Sequence, residues 1–223
     1  MPEIKLYYYP ASGAARIALM AARLVDVPVQ LKIVDLTKKE QYSESYLKIN
    51  PQHCIPALDD DGFILTESRA IACYLADKYG KDDTIYPKDV KMRAIVNQRL
   101  YFDSSNLVVK MKAIYYPIIY GGETEIKENL KEDFNASLVI LDKFLEESEW
   151  VAGENVTIAD STIFASVSGL FGLGWDISSY PNIQRWFKNC ANLPGYEENE
   201  RGAKMFAEAV KKNLKSKSAI ENI

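Results

Sequence analysis

The stretch from Ile49 to Tyr79, INPQHCIPALDDDGFILTESRAIACYLADKY, leaves its backbone few arrangements. Asn50-Pro51 and Ile55-Pro56 each bias the residue before the proline toward extended geometry. Asp61-Gly62, set between Ala57-Leu58 and Phe63-Ile64-Leu65, is a strong hairpin signal, because a tight two-residue turn needs positive φ at both central positions. Directly after the second strand, Thr66-Glu67-Ser68 leads into Ile71, Tyr74, Leu75 and Tyr79 at helical spacing, with Gly80 as the stop. A strand therefore feeds straight into a helix N-terminus. The first N–H groups there lack intrahelical partners and the dipole is positive, so a carboxylate finds donors beside the Ser68 hydroxyl while Glu67 can hold an ammonium group. A small zwitterionic head group satisfies both features.

Upstream, Ile4, Leu6 and Tyr8 alternate with Lys5 and Tyr7 as a half-buried strand that Pro10 ends. Ile17, Ala18, Met20, Ala21 and Leu24 then follow helical spacing, which places Ser12 at a strand-to-helix turn. Val29, Leu31 and Ile33 alternate with Gln30 and Lys32 as a second strand, followed by a polar, weakly helical stretch through Tyr46 and Leu47. The order β-α-β-α-β-β-α makes the first two strands parallel and the last two antiparallel, a mixed four-stranded sheet covered by helices, in a first domain over 1–80. Residues 81–88, KDDTIYPK, read as a linker. From Asp89 to 223 strand alternation gives way to helical patterns at Met92–Tyr120, Ile126–Leu145 and Ile158–Phe171, with a further helix opened by Pro181 and a Thr157/Asp160 capping box: an all-α second domain.

Net charge of -4 argues against a nucleic-acid surface, which needs clustered Lys and Arg. The basic tail from Lys211 to Lys217 is expected to fray into solvent. No apolar run approaches the ~20 residues that cross a bilayer, and MPEIKLYYYP carries no signal-peptide pattern, so the expectation is a cytoplasmic protein without a membrane anchor. Cys54, Cys73 and Cys190 suit reduced thiols. With His53 as the single histidine, no metal is expected.

Taken alone, Ser12 is a turn residue or helix cap. Its functional reading requires a thiol ligand lying along the hairpin. A free thiol of pKa ~8.5 is only a few per cent ionised at neutral pH. One hydroxyl donor to a charged acceptor contributes ~1.5–3 kcal/mol, enough for one to two units of depression without a general base. His53 reads either as a positively biased carboxylate holder or as a loop residue, and Cys54 either as redox-active or as inert packing. The stripe Met111, Tyr115, Tyr116, Ile119 and Tyr120 reads as core or as the wall of a cleft for hydrophobic compounds.

YYYPASGAAR, the hairpin stretch continued as GKDD, YPKD, NQRLYFD, YYPIIY and VAGENVTIAD together resemble the cytosolic glutathione transferases, most closely the insect delta class with epsilon as near relative. The resemblance runs nearly end to end. It implies a thioredoxin-like N-terminal domain, an all-helical C-terminal domain, a homodimer, and conjugation of glutathione, as co-substrate, to hydrophobic electrophiles in detoxification, with dehydrochlorinase or peroxidase side activity open. By that resemblance Ser12 is the catalytic serine and His53 holds the glycyl end. Ile55, before a proline that is cis in the family, binds the cysteinyl backbone, while Glu67 and Ser68 bind the γ-glutamyl end. Arg69 joins the same site, with the dimer interface as one route. Gln41 stands where a second histidine near the glycyl carboxylate is common, and Val108 and Met111 stand where aromatic residues commonly line the hydrophobic site. Tyr116, Tyr120 and Phe206 keep that site's aromatic character. The rival class is a binding protein that carries hydrophobic ligands with little turnover.

Overall fold

The computed structural model describes residues 3–214. Part of the basic tail, Lys215 and Lys217, lies outside the described residues. The chain runs β1 (Ile4–Tyr8), α1 (Gly13–Leu24), β2 (Gln30–Ile33), α2 (Glu44–Leu47), β3 (Ala57–Asp60), β4 (Phe63–Thr66) and α3 (Ser68–Tyr79). Among the described residues six further α-helices follow: α4 (Val90–Phe102), α5 (Val108–Tyr120), α6 (Glu128–Phe144), α7 (Ile158–Leu173), α8 (Pro181–Cys190) and α9 (Tyr196–Lys211). The sheet order is β2-β1-β3-β4, with β1 parallel to β2 and antiparallel to β3, and β3 antiparallel to β4. This is the thioredoxin-like arrangement followed by a helical half.

Each local signal acts through its own chemistry. Asp61 and Gly62 take φ of 52° and 88°, the two positive values that a type I′ hairpin requires, and Gly62 N–H donates to Asp59 Oδ1 at 2.8 Å. Ile4, Leu6 and Tyr8 are buried on alternate positions of β1. β2 departs from the alternation expected of it. The strand begins at Gln30, and Leu31 and Ile33 are 36% and 57% exposed, because β2 is the edge of the sheet and its apolar face stays uncovered.

α7 is the axle of the helical half. Its residues from Ile158 through Leu170 are all buried, so its hydrophobicity runs around the whole cylinder instead of along one stripe. It packs against α1, α4 and α9. Its start is fixed by a capping box in which Asp160 Oδ2 accepts from Thr157 N–H at 2.9 Å. Asp160 Oδ1 also accepts from Val151 N–H at 2.8 Å and Trp186 Nε1 at 3.0 Å, tying the preceding loop and α8 to the same carboxylate. The helical pattern over Met92–Tyr120 is two helices joined by a π-helical segment, Asp103–Leu107, which turns the Asp103 carboxylate inward.

The segment 81–88 is pinned on both sides. Arg93 stacks 3.8 Å over the Tyr86 ring, donates to Tyr86 O at 2.8 Å and pairs with Asp77 at 2.9 Å, while Ile158 N–H donates to Ile85 O at 3.0 Å.

Candidate active site

The sheet brings the singled-out residues to one rim. Strand register aligns Tyr7 with Ala57 and Ala57 with Thr66, so the carboxyl ends of β1 and β4 meet the amino end of β3. Ser12 follows β1, Ile55 precedes β3, Glu67 follows β4, and Gln41 follows the parallel strand β2. Open α/β sheets place their ligands at the carboxyl ends of parallel strands.

Ser12 caps α1. Its backbone is extended (φ -77°, ψ 115°) and its Oγ accepts from Ala15 N–H at 3.3 Å. The cap uses only an oxygen lone pair. Among the described residues the hydroxyl donates to nothing, so its O–H is left for a ligand at the positive end of the helix.

The loop before β3 is held from below. Tyr46 Oη and Asn50 Nδ2 both donate to the Cys54 carbonyl, at 2.6 and 2.7 Å. The Ile55-Pro56 bond is cis. Among the described residues neither the N–H nor the C=O of Ile55 is hydrogen-bonded, which leaves a short strand edge for a peptide backbone. His53 adopts φ of 48°, is exposed, and packs its ring 4.8 Å from Tyr42. Gln41 turns Oε1 into a buried position that has no hydrogen-bond partner among the described residues.

At the third corner Glu67 takes φ of 67° and ψ of 108°, an unusual conformation for a residue with a Cβ. The bend ends β4 and starts α3 without a side-chain cap, so the exposed Glu67 carboxylate stays free of the helix it precedes. Ser68 is buried and accepts from Arg69 Nη1 at 3.0 Å. Arg69 Nε donates to Asp103 Oδ2 at 2.9 Å, and Nη2 reaches the same oxygen. Arg69 is thus anchored within its own chain. Burial pushes the Asp103 carboxyl up, and the Arg69 charge opposes that rise.

Beyond this rim lies an aromatic run joining α9 to α5. Phe206 meets Tyr115 edge-on at 4.9 Å, Tyr115 meets Tyr116 at 5.1 Å, and Tyr116 meets Tyr120 at 5.4 Å. Tyr116 and Tyr120 are 45% and 73% exposed, whereas Met111 and Phe206 are buried and Val108 is half-buried. The Tyr116 phenol is raised first by burial and then by Cys54, and that of Tyr120 by burial and then by Tyr116 and Tyr42. Those electrostatic neighbours place the exposed end of α5 opposite the loop that carries His53.

Several residues of this site are not singled out by spacing. Asp103, Tyr46 and Asn50 act on the site through other residues, and their roles follow from tertiary contacts. Arg16 lies in the helical stripe of α1, where a cation among alanines was the available signal.

Residues 2–77 match the family described as glutathione S-transferase, N-terminal domain, and residues 103–194 match glutathione S-transferase, C-terminal domain. The chain is 39% identical over 201 residues to glutathione S-transferase D7 of Drosophila melanogaster, covering 89% of each. Among solved structures it is similar to glutathione S-transferase unclassified 2 from Bombyx mori, with TM-score 0.93 and 61% identity over 96% of this chain and 100% of that one. It is also similar to a delta-class glutathione transferase of Nilaparvata lugens, with TM-score 0.91 and 47% identity over 95% and 100% of the two chains. With both halves matched and a relative 39% identical that is covered over 89% of each chain, this chain belongs to the glutathione S-transferases.

Proposed function

We propose that this protein binds glutathione along the rim of its sheet, ionises the thiol at Ser12 and conjugates it to hydrophobic electrophiles. The observation that carries the reading is the Ser12 hydroxyl, whose oxygen is committed to the cap of α1 while its hydrogen is uncommitted. Glutathione spans the three corners. Its γ-glutamyl zwitterion meets Glu67 and Ser68, with Arg69 behind Ser68; its cysteinyl amide pairs with the free backbone of Ile55; its glycyl carboxylate lies toward His53 and Gln41. The Gln41 side chain can offer its amide N–H₂ where a carboxylate comes close.

Ser12 donates to the thiolate, whose proton has passed to solvent; the sulfur displaces halide, forming the new C–S bond as the halide departs with its electron pair, or adds to an electron-poor carbon whose displaced π pair takes up a proton from solvent. The apolar partner rests against Tyr116 and Tyr120, with Val108, Met111 and Phe206 behind. A thiolate used as a base in place of a nucleophile gives dehydrochlorination at the same corner. Among the described residues no cluster of three His, Cys, Asp or Glu is placed to hold a metal, and the chemistry proposed needs none. No helix among them is long and apolar enough to cross a membrane. The proposed setting is cytoplasmic and the proposed assembly a homodimer, for which exposed Phe63 and Ile64 on β4 and Tyr101 on α4 supply apolar surface.

The test is conjugation of glutathione to a chloronitroaromatic, with thiolate absorbance titrated against pH. The bound thiol should titrate one to two units below its free pKa of ~8.5. Ser12→Ala should return it toward the free value and lower kcat while the glutathione KM changes little, since the peptide is still gripped elsewhere. An unchanged titration and kcat in Ser12→Ala would leave Ser12 as a cap alone.

A further inference from the structure

We propose that Arg16, a guanidinium buried against neutral acceptors beside the first turn of α1, is the fixed positive charge that, together with Ser12, holds the bound thiol ionised. The proposal rests on the glutathione reading above and assigns a second residue to its central step.

Arg16 is 2% exposed. All three of its hydrogen bonds leave from Nη1, to Ser168 Oγ at 2.9 Å, Asn199 Oδ1 at 2.6 Å and Asn199 O at 3.3 Å, and all three acceptors are neutral. Nε is buried and has no partner among the described residues. Among the described residues no carboxylate pairs with it. A cation taken out of water without a counter-charge is costly, and one that is kept implies an anion that offsets it. Burial lowers its pKa only to about 10, so it stays charged at neutral pH.

Its position is set by two glycines. A Cβ built on Gly13, the residue after Ser12, would lie 3.6 Å from Arg16 Nη2, so the free end of the guanidinium curls back to the first turn of α1. A Cβ on Gly202 of α9 would lie 2.5 Å from Arg16 Cδ and 2.2 Å from Pro10 O. The absent side chain at Gly202 lets α9 close over both the turn that presents Ser12 and the stem of Arg16.

The groups facing this charge do not neutralise it. Tyr8 on β1 and Tyr115 on α5 are phenols whose pKa values burial pushes up, so both stay neutral. On α9, Glu198 is engaged by Arg23 at 2.8 Å, and Arg201 near Tyr8 adds further positive charge. On α7 the contact is the Ser168 hydroxyl, and Arg69 of α3 is held by Asp103. A thiolate at Ser12 is the anion that this corner lacks.

Asn199→Asp tests the charge while keeping an acceptor at the 2.6 Å contact: it gives Arg16 a carboxylate and cancels its field at the thiol. The pKa of enzyme-bound glutathione, read from thiolate absorbance, should rise by about one unit, with kcat near pH 6.5 falling up to about tenfold and the glutathione KM little changed. Arg16→Gln should raise the thiol pKa likewise and Arg16→Lys should keep it low, which guards against a variant that fails to fold. If the wild-type thiol is depressed and both Asn199→Asp and Arg16→Gln leave it there, Arg16 is a structural residue and the inference is wrong. If the wild-type thiol titrates as free glutathione does, the functional reading fails and takes this one with it.

Discussion

Arg69 Nη1 donates to the Ser68 hydroxyl at 3.0 Å while its Nε donates to the wholly buried Asp103 carboxylate at 2.9 Å. One guanidinium therefore fixes the side chain at the head of α3 against the π-helical segment that joins α4 to α5. In the glutathione reading Asp103 acts on the site through Arg69. In Asp103→Asn the charge that anchors Arg69 is gone while the shape remains, and Ser68 loses a fixed neighbour. The glutathione KM should rise by about five- to tenfold with kcat changed less, matching the loss of about 1–1.5 kcal/mol of charge-assisted positioning. Steady-state kinetics with glutathione varied at saturating electrophile checks it, and a fall in kcat alone would assign Asp103 elsewhere.

Glu67 holds a backbone conformation that favours a ligand role. Its φ of 67° puts a side chain with a Cβ in a region that such residues usually avoid, and neither its own helix nor its neighbours use the carboxylate as a cap. Glu67→Ala should raise the glutathione KM more than tenfold, from the loss of about 1.5–3 kcal/mol of charged hydrogen bonding. A KM within about twofold of wild type would remove Glu67 from the site.

Tyr116 is half-exposed within the aromatic run, between half-buried Tyr115 and exposed Tyr120. Tyr116→Ala should weaken binding of an apolar electrophile by about 1–2 kcal/mol, roughly five- to thirtyfold in its KM, while leaving that of glutathione alone. Equal changes in both values would mean that α5 has shifted and that the ring is structural.

The hairpin and the Thr157/Asp160 cap were legible because the information is local: Asp61-Gly62 needs its positive φ values wherever it stands, and a capping box closes within three residues. Convergence on one rim was half legible. The β-α-β-α-β-β-α order implies the sheet, but register decides that Ser12, Ile55 and Glu67 share an end. The second strand is where alternation places it, but alternation reports only which residues could be buried, and at the sheet edge Leu31 and Ile33 are exposed. The partners of Arg69 and Arg16 were beyond reach, since Asp103 lies 34 residues and Asn199 183 residues away in the chain. Arginine at a helical position carries no mark of what it meets across the molecule.

Asp160 supplies the last prediction, on stability. Burial raises its carboxyl pKa to about 6 from 3.8, although two backbone N–H groups, Trp186 and Thr157 all donate to the carboxylate and oppose the rise. The folded chain therefore holds this proton more tightly than the unfolded one. The stability contributed by the protonated group is fully present below the unfolded pKa near 3.8 and is lost as pH rises through about 6. The rise of about two units corresponds to about 3 kcal/mol between the two limits. Asp160→Asn lacks the titration but turns an amide N–H₂ toward donors, so it should be less stable at every pH, by an amount that shrinks as the pH rises from about 4.5 to 7.5. Denaturant unfolding of both proteins at matched concentration gives that difference. A gap that instead widens with pH would mean that the four donors outweigh burial and that the folded carboxyl pKa lies below its unfolded value.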